Sequence, residues 1–217
     1  MSLSMSKRMS WILARTRGPH VLNVGCAGYS PDPRSPHWVH GRLYDSFPYV
    51  AGIDYDRKIV ADLGAMKYAH VYHANAESFH LAERFNTIVA GELIEHLCNP
   101  GLFLQRVKEH LAPGGKLLLT TPYAFALVHF LYALYHFPHT CSNREHTGWF
   151  CVDTLVRLAR LNGFHVTQWE LLEDYHVSAH APRYRFFVRW LSLVRRLVPR
   201  RLTANTIVLE LEIEIED

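Results

Sequence analysis

The sequence predicts an α/β fold: a seven-stranded, mostly parallel sheet with an antiparallel last strand and helices on both faces. Three observations carry that prediction. Short apolar runs rich in β-branched residues alternate with longer stretches of helical period. Those runs are apolar throughout, as strands covered on both sides must be. The last one, NTIVLELEIEIE at 205–216, instead alternates apolar and acidic residues, the mark of a strand with one wet face.

Taken in order, residues 1–19 read as an amino-terminal helix, and HVLNVG (20–25) as the first strand. YSPDPRSP (29–36) is a loop, because three prolines leave little room for a helix. A helix around 37–47 leads to a second strand, YVAGIDY (49–55), and one around 56–66 to a third, AHVYHANA (69–76). FNTIVAG (85–91) is the fourth strand, and a helix around 100–112 ends in APGG, a stop and turn before the fifth, GKLLLTTP (115–122). DTLVRLARLNGF (153–164) reads as a helix with an Asp153 N-cap and a glycine stop, followed by the strand FHVTQWELL (164–172). A basic amphipathic helix (182–201) precedes the last strand, and no repeat or flexible linker divides the chain, so 1–217 reads as one domain.

Bulk properties narrow the classes. A formal charge of +3 does not by itself point to nucleic acid. The seven arginines between Arg183 and Arg201 have no acid among them, and with the apolar stripe of Phe186, Phe187, Trp190, Leu191, Val194, Leu197 and Val198 they suggest peripheral membrane contact through 183–201; a helix merely packed on the sheet gives the same pattern. Cys26, Cys98, Cys141 and Cys151 form no CxxC pair, which reads as reduced thiols in a cytoplasmic protein. YAFALVHFLYALYHF (123–137) is the most apolar stretch, and its 15 residues fall short of the roughly 20 that span a bilayer. The amino terminus has no apolar run of signal-peptide length.

In open α/β sheets, ligands lie beyond the carboxyl ends of the strands, where strand order reverses. After the first strand come Gly25, Cys26, Ala27 and Gly28, small residues that let backbone approach a ligand. Asp54 ends the second strand, where a carboxylate can accept both hydroxyls of a ribose. Asn75, Ala76 and Glu77 follow the third, Gly91, Glu92, Glu95 and His96 the fourth, and Thr121, Pro122 and Tyr123 the fifth. Singly, each reads equally well as a turn or a cap. Their order is informative.

The series 21–28, 52–54, 75–77, 85–97 and 113–122 resembles the successive motifs of class I S-adenosylmethionine-dependent methyltransferases. FNTIVAGELIEHLCNPGLFLQRVKEHLAPGGKLLLTTPY is similar to the fourth and fifth motifs of the branch holding small-molecule, quinone and sugar O-methyltransferases, and the resemblance covers about residues 20 to 170. It implies a Rossmann-like fold with S-adenosyl-L-methionine as cofactor and S-adenosyl-L-homocysteine as product. It implies that Gly25, Cys26, Ala27 and Gly28 hold the methionine portion, with Asn23 at its amino-acid end. Asp54, beside Tyr55, becomes the ribose ligand, Asn75 and Ala76 the adenine contacts next to Glu77, and Gly91 with Glu92 the floor beneath the sulfonium. Two places depart from the family turn: Asn23 stands for its usual acid and Tyr29 for its third glycine. The inserted YSPDPRSPHW argues against a dinucleotide, whose turn leads directly into a helix.

Three readings remain for the residues nearest the chemistry. A helix starting near Glu92 would put Glu92, Glu95 and His96 on one face, with His96 as general base. Alternatively, Glu92, Glu95, His96 and His146 hold a divalent metal, an arrangement that resembles the site of small-RNA 2′-O-methyltransferases. In the third, Glu95 and His96 only cap and pack. The segment 123–150 stands where the family builds a substrate pocket or lid, with Tyr123, Phe125, His129 and Tyr132 as lining candidates. The other histidines, His40 among them, read as surface or core-edge residues. The expected function is O-methylation of a small hydrophobic, sugar or lipid-linked acceptor. The alternatives are a metal-dependent RNA 2′-O-methyltransferase, although nucleic acid is not the expected partner, and a non-catalytic nucleoside-binding module.

Overall fold

The computed structural model describes residues 5–28, 31–33, 35–135, 143–174 and 198–214. Its strands are β1 (His20–Val24), β2 (Tyr49–Asp54), β3 (Val71–His73), β4 (Phe85–Gly91), β5 (Leu111–Pro122), β6 (Phe164–Leu172) and β7 (Thr206–Ile213). They form one sheet in the order β3-β2-β1-β4-β5-β7-β6. β1 through β5 pair in parallel, and β7 runs antiparallel between β5 and β6. The predicted seven-stranded architecture is therefore the observed one. Strand order reverses between β1 and β4, so the carboxyl ends of β1, β2, β4 and β5 share one edge at the switch point.

Alternate side chains of each strand enter opposite cores, as the period of a strand requires. Leu22, Val24, Ile88, Ala90, Leu117 and Leu119 pack with Phe103, Leu104 and Val107 of α4 (Pro100–His110) and Leu155 and Ala159 of α6 (Val152–Leu161). Val21, Val89, Leu118 and Val208 face the other way, against Trp11 and Ile12 of α1 (Lys7–Arg15) and Leu43 of α2 (Val39–Ser46). Helices thus cover both faces. Each large apolar side chain so buried contributes about 1.5–3 kcal/mol, which fastens the short α1 firmly across the sheet.

Local chemistry sets the helix ends. Ser6 caps α1 by accepting from the Met9 amide, and Asp56 caps α3 (Arg57–Ala65) by accepting from the amides of Lys58 and Ile59. α6 is capped by Cys151 rather than by the predicted Asp153, which sits in its first turn, and the stop at Gly163 is real, with φ +76°. The third strand is shorter than the sequence suggested, because His70 adopts φ +63° just before it. The fifth is longer, since APGG is drawn into β5. β7 lies inside the sheet, so its first four residues are buried and its Glu210 is held by Lys116 at 2.7 Å; the wet face is confined to the far end.

α5 (Leu127–Tyr135) follows β5, and α7 (Arg200–Thr203) leads into β7. Most of the basic segment 183–201 lies outside the described residues, as does Cys141; Cys26, Cys98 and Cys151 are free thiols. Among the described residues, no helix is long and apolar enough to cross a membrane.

Candidate functional site

The glycine turn is hung from the second strand. The amides of Gly25 and Cys26 donate to the Ile53 carbonyl at 2.9 and 3.1 Å. Buried Asp54 completes the suspension: one carboxylate oxygen accepts from the Ala27 amide at 2.9 Å and the other from the Asp56 amide at 3.1 Å. Gly25 and Gly28 have φ of +76° and +57°, the left-handed region that favours glycine. A Cβ at Gly28 would meet nothing within 4 Å, so the turn borders open space. Nearby, the Asn23 side-chain nitrogen is buried with no partner, a donor left over for a ligand. Cys26 is buried too, and burial, then the charge of Asp54, pushes its thiol pKa up.

Beyond β2 and β3 the candidates divide. Tyr55 is exposed. Asn75 accepts from the Glu77 amide at 2.8 Å, and half-buried Ala76 packs on the core. Glu77 acts on the fold itself, since its carboxylate accepts from the amides of Cys98 and Asn99 and from the Asn99 side chain, fixing the turn into α4. At Gly91 an added Cβ would meet Arg8, Val39 and Thr120 at 3.6–3.8 Å, ordinary contact distances. An unpartnered amide and an open glycine turn at adjoining strand ends fit a nucleoside bearing an amino-acid group.

The residues after β4 do not lie as predicted. Glu92 adopts φ +53°, and only a 3₁₀ turn, Ile94–His96, follows. The Glu92 amide donates to the Thr120 carbonyl, and Oε1 of Glu92 accepts from the Thr120 hydroxyl at 3.2 Å. Oε2 of Glu95 accepts instead from the Thr121 hydroxyl at 2.9 Å. Adjacent strand residues point to opposite faces, so Glu92 turns toward the α1 side and Glu95 toward the α4/α6 side. The expected single face of Glu92, Glu95 and His96 is therefore corrected, and Glu92 leaves the proposed metal quartet.

The other three do come together. The ligand-capable atoms of Glu95, His96 and His146 all lie within 4.8 Å of one another. The segment carrying His146 is docked there by Thr147 and Gly148, whose amides donate to the Glu95 carbonyl at 2.8 and 3.1 Å. The His96 and His146 rings stand edge-on with centroids 4.8 Å apart. Oε1 of Glu95 and Nδ1 of His146 are both buried without a partner. Burial, then the charge of Glu92, pushes the Glu95 pKa up to about 8, so its carboxyl carries a proton at neutral pH. Burial, then His96, pushes the His146 pKa down, keeping that imidazole neutral.

Of the lining candidates, His129 borders a cavity, and its Nε2 is buried without a partner among the described residues. Tyr123 packs on the core and stacks edge-on against Phe125, which is exposed, while Tyr132 is half-buried on α5. The same cavity is bordered by Arg8, Asp174 and Asn205, none of which sequence reasoning singled out. His40 proves fully buried, boxed in by Trp38, Tyr44 and Tyr68, and burial pushes its pKa down to about 4. It belongs to the core and not to the surface.

Comparison with known proteins bears on the family and the fold. A family model described as "Methyltransferase domain" matches residues 6–169. A ubiquinone biosynthesis O-methyltransferase from Nitrobacter winogradskyi is 31% identical over 168 residues, 70% of this chain and 58% of that protein. A probable S-adenosylmethionine-dependent methyltransferase from Mycolicibacterium smegmatis is 32% identical over 50% of this chain and 40% of its own length. The chain thus matches 58% and 40% of these relatives' lengths. Among solved structures, the complex of the Haloferax volcanii Trm112 methyltransferase activator with a methyltransferase superposes with a TM-score of 0.66 at 18% identity, covering 96% of this chain and 89% of that one. The glycopeptide N-methyltransferase MtfA with bound S-adenosyl-L-homocysteine gives 0.62 at 16% identity, over 98% and 89%. With the strand order, the glycine turn and the family match in agreement, the chain belongs to the class I S-adenosylmethionine-dependent methyltransferases.

Proposed function

We propose that the protein methylates a hydroxyl oxygen of a small acceptor, using S-adenosyl-L-methionine bound across the ends of β1, β2 and β4. The observation that carries this reading is the Glu95–His96–His146 cluster, which gathers two imidazoles and a buried carboxyl just beyond the Gly91–Glu92 strand end. The bound cofactor supplies a sulfonium whose methyl group passes to the acceptor oxygen, leaving the thioether S-adenosyl-L-homocysteine. The chain's residues position and deprotonate. Amides of the Gly25–Gly28 turn and the Asn23 side chain face the methionine portion, Asp54 the ribose, and Asn75 with Ala76 the adenine. Asp54 already holds two backbone amides, and a carboxylate has about four lone-pair sites, so it retains capacity for ribose hydroxyls. The acceptor proton goes to an imidazole nitrogen of His96 as the new O–C bond forms. His146 and the neutral Glu95 carboxyl hold that ring in place. In-line positioning supplies most of the rate, since the sulfonium is already reactive.

A second reading rests on the buried, unpartnered Oε1 of Glu95 and Nδ1 of His146. With His96 they make a two-nitrogen, one-oxygen donor set that suits a divalent transition metal. An ion held there would align and acidify the acceptor hydroxyl. Both readings are tested together: calorimetry with S-adenosyl-L-homocysteine, then transfer of labelled methyl groups to hydroxylated acceptors before and after chelator dialysis. Absence of cofactor binding overturns the function. Activity lost on chelation and restored by Zn²⁺ or Mn²⁺ moves the proton step to the metal reading.

A further inference from the structure

His146 meets Glu95 and His96 from a distant part of the chain, and Nδ1 of its ring is buried without a partner among the described residues. Its place is set instead by the short strap it belongs to, residues 146–150. That strap is pinned at both ends. At one end the amides of Thr147 and Gly148 donate to the Glu95 carbonyl at 2.8 and 3.1 Å. At the other, the Phe150 carbonyl accepts from the Ala124 amide at 2.9 Å, beside the bridge between Phe150 and Tyr123. The strap therefore spans from the 3₁₀ turn after β4 to the chain just beyond β5.

The Thr147 hydroxyl adds a third pin. It lies 3.0 Å from the Glu95 carbonyl oxygen and 2.7 Å from that of Leu97. A carbonyl oxygen has two lone pairs, and two amides already occupy those of Glu95, while a hydroxyl has one proton to give. The proton therefore goes to Leu97, the shorter contact. Leu97 closes the 3₁₀ turn that holds Glu95 and His96, so the strap is tied to this turn at two points. One point would leave a pivot; two fix a direction. His146, the residue before this tie, stands edge-on to His96 with centroids 4.8 Å apart. The Trp149 indole, farther along the strap, lies 5.3 Å from the His146 ring and 4.6 Å from His129 of α5.

We propose that Thr147 is a positioning residue of the methyl-transfer site, its hydroxyl tying the strap down so that His146 stays against His96 and Glu95. The proposal rests on the reading of that cluster given above and deepens it. Thr147 acts through His146 and is given no contact with cofactor or acceptor. A proton step and a bound cation would both need His146 at a fixed place, so the role holds under either.

The test compares Thr147→Val, which keeps the branched shape and both amide pins but loses the hydroxyl, with Thr147→Ser, which keeps the hydroxyl. NMR on protein carrying ¹³C-labelled histidine follows NOEs between the His96 and His146 rings. Calorimetry with S-adenosyl-L-homocysteine and thermal unfolding are run on the same samples, and kcat and KM are measured with catechol as probe acceptor. The expected result is cross-ring NOEs in wild type and Thr147→Ser and their loss in Thr147→Val. Cofactor affinity should stay the same in all three. Thr147→Val should lower kcat by about 10–100-fold with KM little changed, the usual cost of loosening a group that orients a reacting one. Thr147→Ala makes the same deletion with a smaller side chain should the valine not fit. The NOEs decide the proposal even where catechol is not methylated, and a wild type that binds no cofactor overturns the methyl-transfer reading separately. NOEs intact without the hydroxyl, a serine variant as impaired as the valine one, or cofactor affinity lost together with the NOEs would each overturn the positioning role.

Discussion

The hydroxyl of Thr121 donates to Oε2 of Glu95 at 2.9 Å, while the preceding residue, Thr120, donates to Glu92 on the other face of the sheet. Two neighbouring threonines on β5 thus separate two glutamates that lie three residues apart in sequence. Glu92, beside Arg8, borders a cavity on the α1 side, whereas Glu95 is buried with His96 and His146 on the other.

Burial of Glu95 makes stability depend on pH. Its pKa is raised from the ordinary 4.5 to about 8, so between those values the native state keeps a proton that the unfolded chain releases. Stability contributed by the neutral carboxyl is complete below about 4.5 and is lost as pH rises through about 8. Glu95→Gln holds the neutral form permanently. Relative to wild type, its urea midpoint should therefore improve between pH 5 and pH 9, by up to a few kcal/mol of stability. A midpoint difference that stays constant across that range would mean Glu95 is charged in the fold.

Asp54 suspends the glycine turn and, in the function proposed above, faces the ribose as well. Asp54→Ala should weaken S-adenosyl-L-homocysteine binding by about 1.5–3 kcal/mol, the range for a hydrogen bond to a charged group. It also leaves the Ala27 amide without its acceptor. Asp54→Asn retains one acceptor oxygen and should fall between the two in calorimetry. Equal affinity in all three proteins would remove Asp54 from the cofactor site.

His96 is the group closest to the proposed proton transfer. His96→Ala should lower turnover by about 10²–10⁴-fold with cofactor affinity unchanged, because the ring acts on the acceptor and not on the nucleoside. His146→Ala should cost less, since that ring only steadies its neighbour. If the two variants lose activity equally and both lose chelator-sensitive metal on dialysis, the cluster is a metal site.

Strand ends were legible because apolar runs stop sharply at polar or glycine residues, and those stops are where the candidate ligand-facing positions lie. Gly25, Asp54, Gly91 and Thr121 could be placed from the sequence for that reason alone. The relation of Glu92 to His96 could not. Helical spacing presumes right-handed backbone throughout, and the positive φ of Glu92 turns its side chain away before the 3₁₀ turn begins. Nor does any local pattern announce the meeting of Arg8 with Asp174, which lie far apart in the chain; the adjoining bond from Lys7 to Asp174 spans 167 residues. Arg8 reads in sequence as one more basic residue of an amphipathic helix, and only the docking of α1 through Trp11 and Ile12 brings it over the strand ends.

The closest approach beneath the site gives a final prediction. Gly52 lies buried in β2, where an added Cβ would come within 2.7 Å of His40 Cε1 and 2.9 Å of both Cys26 Cβ and Sγ. None of these neighbours is the loose end of a flexible chain: His40 is boxed in by aromatic rings, and Cys26 forms part of the glycine turn. Gly52→Ala must therefore push β2 and the turn apart, at a cost of about 1–3 kcal/mol, the usual range for overpacking. Because the Gly25 and Cys26 amides hang from Ile53, the displacement should also weaken cofactor binding, although Gly52 touches no ligand. Thermal unfolding and calorimetry on one preparation measure both effects. The double variant Gly52→Ala with His40→Ala opens space on the imidazole side and should recover part of the stability. If it recovers none, the strain lies wholly against Cys26.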